Sequence, residues 1–265
     1  MHTSHPPKLP SFRIDIRGGY AIVTIDRPPV NAFSRETYSE LNEVISFIEA
    51  TPAIRAMVLA CADDARAWIG GGDLHEFLTL TSEEARRDRH AFIEVVTDRL
   101  YHLSRPTIAA VSMPAPGGGM VLASFCDIII AAEETFFSMP EVDRGLTGGA
   151  GSYLNRLNLP VPIIREIILT GRKFSAAELK EHGFVNYVLP KDAVLPKAIE
   201  LAEIIARKSA ATITAIKRGA NNIDKVGWDQ GRTDAHQASE QLVTGPDYKE
   251  AINAFLEKRE PKFNQ

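Results

Sequence analysis

Two cysteines, Cys61 and Cys126, are all the thiol chemistry that 265 residues offer. Their spacing matches no metal-ligand pattern, and they read as small buried residues of a reducing compartment. No apolar run approaches the roughly 18 residues of a membrane span. The N-terminus, Met1-His2-Thr3-Ser4-His5-Pro6-Pro7-Lys8, lacks the apolar core of a secretory signal and the Arg-rich amphipathic character of a transit peptide. A cytoplasmic protein is the simplest expectation, with His2 and His5 on a floppy terminus rather than a metal site. Neither sign of charge dominates: 30 basic against 34 acidic residues gives a net charge of −4. That balance does not argue for a global nucleic-acid or membrane surface. Several catalytic templates are missing too. There is no Gly-x-Ser-x-Gly elbow, and Gly148-Gly149-Ala150-Gly151-Ser152 lacks the lysine of a Walker-type loop. Gly117 to Gly119 fails the spacing of a dinucleotide fingerprint. No His-x-x-x-His pair is present, so no metal is expected. Internal repeats and low-complexity segments are absent.

What is present is an ordinary globular composition, 45% hydrophobic and 24% charged, on a chain long enough to bury a sizeable core. Phe12 to Ile16 and Tyr20 to Ile25, around Gly18-Gly19, predict a hairpin. Ser34 followed by Leu41, Val44, Ile45 and Ile48 predicts a capped helix with one apolar face, ended by Pro52. Ala56 to Ala60 reads as a buried strand, and Thr107 to Val111 and Asp127 to Ala132 read as the next two strands. Asp73 can cap a short helix through Phe77. Ser82 to Leu103 reads as a long helix, charged on one side, with Phe92, Val95, Val96 and Leu103 apolar. The repeated order of strand, glycine turn and helix predicts a mixed α/β core. From Ala176 to Lys258 the chain reads as mostly helix, with a short strand at Val185 to Leu189. Leu201, Ile204, Ile205, Ile213 and Ile216 lie at helical spacing there, and Asp247 is placed to cap the last helix.

Two glycine clusters stand out: Ile69-Gly70-Gly71-Gly72-Asp73 and Pro116-Gly117-Gly118-Gly119-Met120-Val121. Each follows a strand-like run and precedes residues that can start a helix. One such cluster alone is ordinarily a tight turn. Two brought together can aim two backbone N–H donors at one oxygen, an oxyanion hole that needs no special side chain.

Further segments appear in a fixed order. Ile25-Asp26-Arg27-Pro28-Pro29-Val30-Asn31-Ala32-Phe33 precedes the clusters, and Cys126-Asp127-Ile128-Ile129-Ile130-Ala131 follows the second. Then come Phe137-Ser138-Met139-Pro140-Glu141-Val142-Asp143-Arg144-Gly145-Leu146, Leu169-Thr170-Gly171-Arg172 and Ala254-Phe255-Leu256-Glu257-Lys258-Arg259. From about Arg13 to Phe263 this series resembles the crotonase (enoyl-CoA hydratase/isomerase) family. The resemblance implies an α/β fold: a crotonase-like β-β-α spiral core over residues 11–190, after a flexible terminus at 1–10. A C-terminal helical trimerisation region would occupy 191–265. It also implies a homotrimer or a dimer of trimers, acting on an acyl-CoA thioester, with coenzyme A as part of the substrate and no tightly bound cofactor.

Carried over by position, the oxyanion donors are the N–H groups of Gly70 and Gly118, and the proton-transfer residue is Glu141. A carboxylate in an apolar site is destabilised as an anion, so its pKa rises toward usefulness near neutrality. The family's two-carboxylate hydratases carry a second glutamate where this chain has Val121. That departure favours double-bond isomerisation over hydration and leaves decarboxylation or thioester hydrolysis open. Asp143, Tyr153 and His75 are possible auxiliaries. An Asp143–Arg144 salt bridge and packing roles for His75 and Tyr153 are the plainer readings, and Glu76 reads as a surface residue. Arg27, Val30, Asn31, Ala32, Ile69, Gly72, Asp73 and Leu74 are expected to line the coenzyme A carrier. Phe255 and Lys258 would complete it from a neighbouring subunit, and Lys258 otherwise reads as a solvated helix end. The acyl pocket is expected to draw on Thr79 to His90. A non-catalytic member that binds acyl-CoA or RNA is the rival class. The helix from Ala32 to Ala50 opposes RNA, because Glu36, Glu40, Glu43 and Glu49 outweigh Arg35. No membrane or nucleic-acid partner is expected.

Overall fold

The computed structural model describes residues 5–147, 159–223 and 246–259. Strands β1 (Phe12–Arg17) and β2 (Tyr20–Ile25) form the expected antiparallel hairpin. Helix α1 (Arg35–Ala50) starts at Ser34, whose hydroxyl accepts the Thr37 N–H, and stops at Thr51 before Pro52. Then follow β3 (Ala56–Cys61), α2 (Leu74–Thr79), α3 (Glu83–His102), β4 (Thr107–Val111) and β5 (Ala115–Pro116). Next come α4 (Gly118–Ser124), β6 (Ile128–Ala132), β7 (Phe136–Ser138) and a 3₁₀ turn at Val142–Arg144. The remaining elements are α5 (Val161–Thr170), β8 (Phe174–Ser175), α6 (Ala176–Glu181), β9 (Tyr187–Leu189), α7 (Lys191–Ala206), α8 (Ala210–Ile223) and α9 (Pro246–Leu256). No helix of the described residues is long and apolar enough to cross a membrane.

The main sheet runs β1-β2-β3-β4-β6-β9 and is parallel from β2 onward. Strands β3 and β4 are buried at every position, as parallel strands covered on both faces must be. Alternation decides which side each residue serves. Met57, Leu59, Ala109 and Val111 point into the larger core, with Leu41, Ile45 and Ile48 of α1 and Val96 and Leu100 of α3. Ala56, Val58, Ile108 and Ala110 face the other way, where α7 lays Val194, Ala198 and Ala202 on them. The first helix after residue 190 therefore packs as part of the sheet's second face. A smaller sheet, β5-β7-β8, brings the start of α4 beside the segment leading to Glu141, and Gly117 N–H donates to the Ser138 carbonyl at 2.7 Å.

The chain departs from the sequence reading in places. Val95 is 57% exposed, whereas Arg86 and Arg89 are each 5% exposed. The early turns of α3 pack against α2 and α9 rather than the sheet, so the inward stripe there is set by cationic side chains lying on aromatic rings. Strand β9 begins at Tyr187, since Val185 is still in the turn after α6, where its N–H reaches the Leu179 carbonyl. Helix α9 begins at Pro246, which places Asp247 inside its first turn instead of at the cap. Ile204 and Ile216, at the expected helical spacing, stand 38% and 64% exposed in the single chain.

A polar bolt joins the late helices to the sheet. Asp127 accepts from Thr107 N at 2.7 Å, Thr107 Oγ1 at 2.9 Å and Lys217 Nζ at 2.7 Å. Lys217, on α8, is buried and also donates to the Arg105 carbonyl. Asp127→Ala leaves that ammonium without its counter-ion and should cost about 2–4 kcal/mol. Urea denaturation of the two proteins checks this, and Asp127→Asn should recover part of the loss.

Candidate active site

The site begins with two backbone segments in contact. Gly117 precedes α4 with φ +54°, and a methyl group placed there would lie 2.5 Å from Glu141 Oε1. A methyl group at Gly119 would overlap the Ile69 carbonyl oxygen. Glycine is thus required at both positions, once for a carboxylate and once for a neighbouring main chain. A methyl group at Gly118 would sit 3.6 Å from Gly72 N, so the first turn of α4 faces the Ile69–Asp73 loop across van der Waals distance.

That loop is laced to residues 27–33. Phe33 bridges it in parallel fashion, its N–H donating to Gly71 O at 2.8 Å and its carbonyl accepting from Asp73 N at 3.1 Å. This pattern leaves the Gly72 N–H outside the bridge, and no described residue accepts it. The same holds for the N–H of Gly118, which opens a helix. Gly70 is different, and the sequence expectation is corrected here. Its N–H donates to the Val30 carbonyl at 2.8 Å and so is already committed to the fold. Gly72, expected only to line the carrier, has the open N–H instead.

Other expected carrier residues turn out to brace the loop. The guanidinium of Arg27 binds Asp73 Oδ2 at 2.8 Å and the Ala32 carbonyl at 2.6 Å. Burial raises the Asp73 pKa, but Arg27 and the backbone donors outweigh it and hold the carboxyl below its ordinary value. Asp73 also caps α2 through the His75 N–H at 3.0 Å. The Asn31 amide donates to the carbonyls of Ala67 and Trp68, at 3.0 and 3.2 Å. The Asn31 and Ile69 side chains are buried, so neither side chain faces a carrier. Val30 is exposed, and Ala32 and Leu74 are half-buried, Leu74 against Tyr248 and Ile252 of α9.

Glu141 lies against this glycine junction. Part of the residue is open, but its Oε2 is fully covered and has no hydrogen-bond partner. Burial pushes the carboxyl pKa from 4.5 up to about 7, with Asp143 adding to the rise, while a backbone N–H and Arg144 oppose it. Val121, one turn into α4, is buried and apolar.

The auxiliaries are not gathered there. His75 is exposed on α2, and Tyr153 lies outside the described residues. Asp143 is exposed and makes no ion pair with Arg144, contrary to expectation. Arg144 instead donates to the Pro140 carbonyl at 2.6 Å and stacks 4.0 Å over the Phe255 ring. Phe255 therefore ties α9 to the turn carrying Glu141. Lys258 is exposed at the end of α9 with φ +56°. Glu76 is no surface bystander: it binds Arg89 Nε at 2.6 Å and the Arg35 N–H at 2.7 Å. Arg86 and Arg89 fall within the Thr79 to His90 stretch expected to line the acyl pocket, but the sequence reading singled out neither of them, nor Phe77. Their signal was the i, i+3 arginine spacing on the inward side of α3.

The family model described as "Enoyl-CoA hydratase/isomerase" matches residues 15–265. The chain belongs to this family. It is 32% identical over 245 residues to "Enoyl-CoA hydratase, mitochondrial" of Pongo abelii, covering 91% of this chain and 82% of that protein. It is 29% identical to "Carnitinyl-CoA dehydratase" of Proteus mirabilis, covering 96% and 98% of the two chains. Among solved structures, an enoyl-CoA hydratase/isomerase from Xanthobacter autotrophicus Py2 superposes with a TM-score of 0.87 at 26% identity, covering 97% of this chain and all of that one. The crotonase fold expected from the sequence is thus the fold observed.

Two expectations test this geometry. Gly117→Ala should push the Glu141 carboxylate off its position and cut turnover by about 10²-fold with the fold intact, read by steady-state kinetics and circular dichroism. The second concerns pH. Between 4.5 and about 7 the native state keeps a proton on Glu141 that the unfolded chain has released. Stability therefore falls as pH rises through that window. Glu141→Gln has no such loss. It should gain on the wild type by up to ~3 kcal/mol above pH ~7, with no gain below pH ~4.5, in denaturation curves at the two extremes.

Proposed function

We propose that this family member binds an acyl-CoA thioester with its carbonyl oxygen on the N–H groups of Gly72 and Gly118, and that Glu141 moves the proton. The observation that carries the reading is Glu141 itself: a carboxyl covered at Oε2, without a partner, raised to about 7 and resting against Gly117. A group poised near neutrality can both take and return a proton. Two backbone donors beside it stabilise the enolate left when an α-proton departs, each worth about 3 kcal/mol of barrier.

Double-bond isomerisation is the favoured reaction. Glu141 removes a proton from the α carbon of a 3-enoyl thioester, the electron pair spreads over a dienolate held at oxygen, and the same carboxyl returns the proton at the γ carbon. No water is consumed and no second carboxylate is needed. Val121 supports this, because hydration calls for a water held between two polar groups and an isopropyl group occupies the other position. Hydration is the second reading, favoured by the name of the Pongo abelii relative. Decarboxylation and thioester hydrolysis use the same oxygen-binding site and remain rivals within the class.

Lys258 and Phe255 are proposed to approach the carrier of a neighbouring copy in a trimer or a dimer of trimers. The exposed faces of Leu169, Ile216 and Phe255, at 69%, 64% and 50%, support burial in such an assembly. Coenzyme A enters as part of the substrate.

The deciding experiment incubates the protein with a panel of acyl-CoAs in deuterated water and follows mass. Wild type should exchange α- and γ-protons of an enoyl-CoA and hydrate crotonyl-CoA poorly. Glu141→Gln should abolish exchange while binding persists, and exchange that survives would remove Glu141 as the base. Gly118→Pro should lower turnover by about 10²–10³-fold with unchanged circular dichroism. Efficient hydration by the wild type would transfer the assignment to the second reading.

A further inference from the structure

Helix α3 buries two arginines one turn apart, and only one is compensated. Arg89 has Glu76 at 2.6 Å and lies over the Phe77 ring. Arg86, 5% exposed, has no carboxylate partner among the described residues. One terminal nitrogen donates to the Phe77 carbonyl at 3.3 Å, and the guanidinium sits 4.2 Å from the Tyr248 ring centre, but Nε is covered and has no acceptor. Burial pulls the Arg86 pKa below its ordinary value, partly offset by Tyr248. Arginine nonetheless stays protonated in proteins. A buried charge of this kind is costly unless an anion answers it.

Arg86 lines a cavity of about 360 Å³ between α2, α3 and α9. Thr81, Tyr248, Lys249 and Asn253 supply further polar groups, Phe77 and its neighbours supply apolar wall, and no acidic side chain among the described residues lines it. Lys249 is exposed at the rim. A guanidinium at the floor, a second cation at the mouth and apolar walls between them suit a short aliphatic group ending in one carboxylate.

We propose that this cavity is a carboxylate-binding site in which Arg86 is the anchoring residue. The carboxylate can come from the far end of an acyl group or from a free organic acid. The ring of Phe77 separates the cavity from the oxyanion loop, since a methyl group at Gly72 would lie 2.6 Å from Phe77 Cζ. A substrate held at Gly72 and Gly118 thus has the site one ring's thickness away. Only this acyl arm rests on the acyl-CoA reading.

The test uses two matched pairs of ligands in calorimetry with the full chain: glutaryl-CoA against pentanoyl-CoA, and pentanoate against pentanamide. Each pair differs in the presence of a carboxylate. In wild type the charged member of at least one pair should bind about tenfold or more tightly, as expected for a hydrogen bond to a charged group. That advantage should vanish in Arg86→Met and persist in weakened form in Arg86→Lys, which keeps the charge but not the fork. An advantage in the coenzyme A pair alone identifies the acyl source, and one in the free pair alone identifies the free acid. No advantage in either pair, or one undiminished in Arg86→Met, overturns the proposal. If circular dichroism shows Arg86→Met unfolded, Arg86→Lys decides, and unchanged affinity there overturns it. If neither thioester binds, the acyl-CoA reading fails while the free pair still decides the carboxylate site.

Discussion

The structure depends on a close approach between two main chains. The carbonyl of Ile69 comes so near the α carbon of Gly119 that a methyl group there would overlap it. Everything proposed for the site hangs from that junction. Gly72 and Gly118, with their open N–H groups, lie side by side only because the loops touch, and Glu141 reaches Gly117 only because no Cβ intervenes. The junction is held at a distance from the chemistry by Arg27, Asn31 and Phe33, which tie the first loop down through a salt bridge, an amide and a backbone bridge. These bonds are mostly to backbone atoms and partly covered, so they fix geometry more than they contribute net stability.

Much of this was legible in the sequence. The strands β3 and β4 announce themselves as continuous apolar runs, and Ser34, Asp73 and Ser82 mark helix starts by side chains that do accept the expected N–H groups. The glycine clusters and the Pro140-Glu141 step pointed to the right region through motif order. Which glycine keeps a free donor was not legible. Gly70 and Gly72 look alike as letters, and only the folded chain decides: the Val30 carbonyl consumes the first N–H, and the parallel bridge to Phe33 leaves the second outside it. Nor was the inside of α3 legible, because arginine is normally a surface residue and its burial here requires rings from α2 and α9, distant in sequence. Asp143 and Arg144 are adjacent in the chain, yet the 3₁₀ turn sends one outward and the other over Phe255.

Electrostatics divides the site into two kinds of group. Asp73 and Glu76 are carboxylates answered by arginines and serve as fixed struts. Glu141 has no such answer at Oε2, and its proton affinity rises accordingly. The distinction separates structural acids from reactive ones on physical grounds: a strut is stable because it is paired, and a proton carrier is useful because it is not.

Placing the candidate oxygen-binding donors on the main chain has a consequence for how such a protein can diverge. Amide hydrogens are supplied by every residue except proline, so mutation of neighbouring side chains leaves them intact so long as the loops keep their spacing. On the proposed reading, a lineage is then free to exchange the residues that line the acyl group while the hold on the oxygen is kept. A match of 29–32% identity spread over more than nine-tenths of the chain, to relatives named for different acyl-CoA compounds, is the pattern such an inheritance leaves.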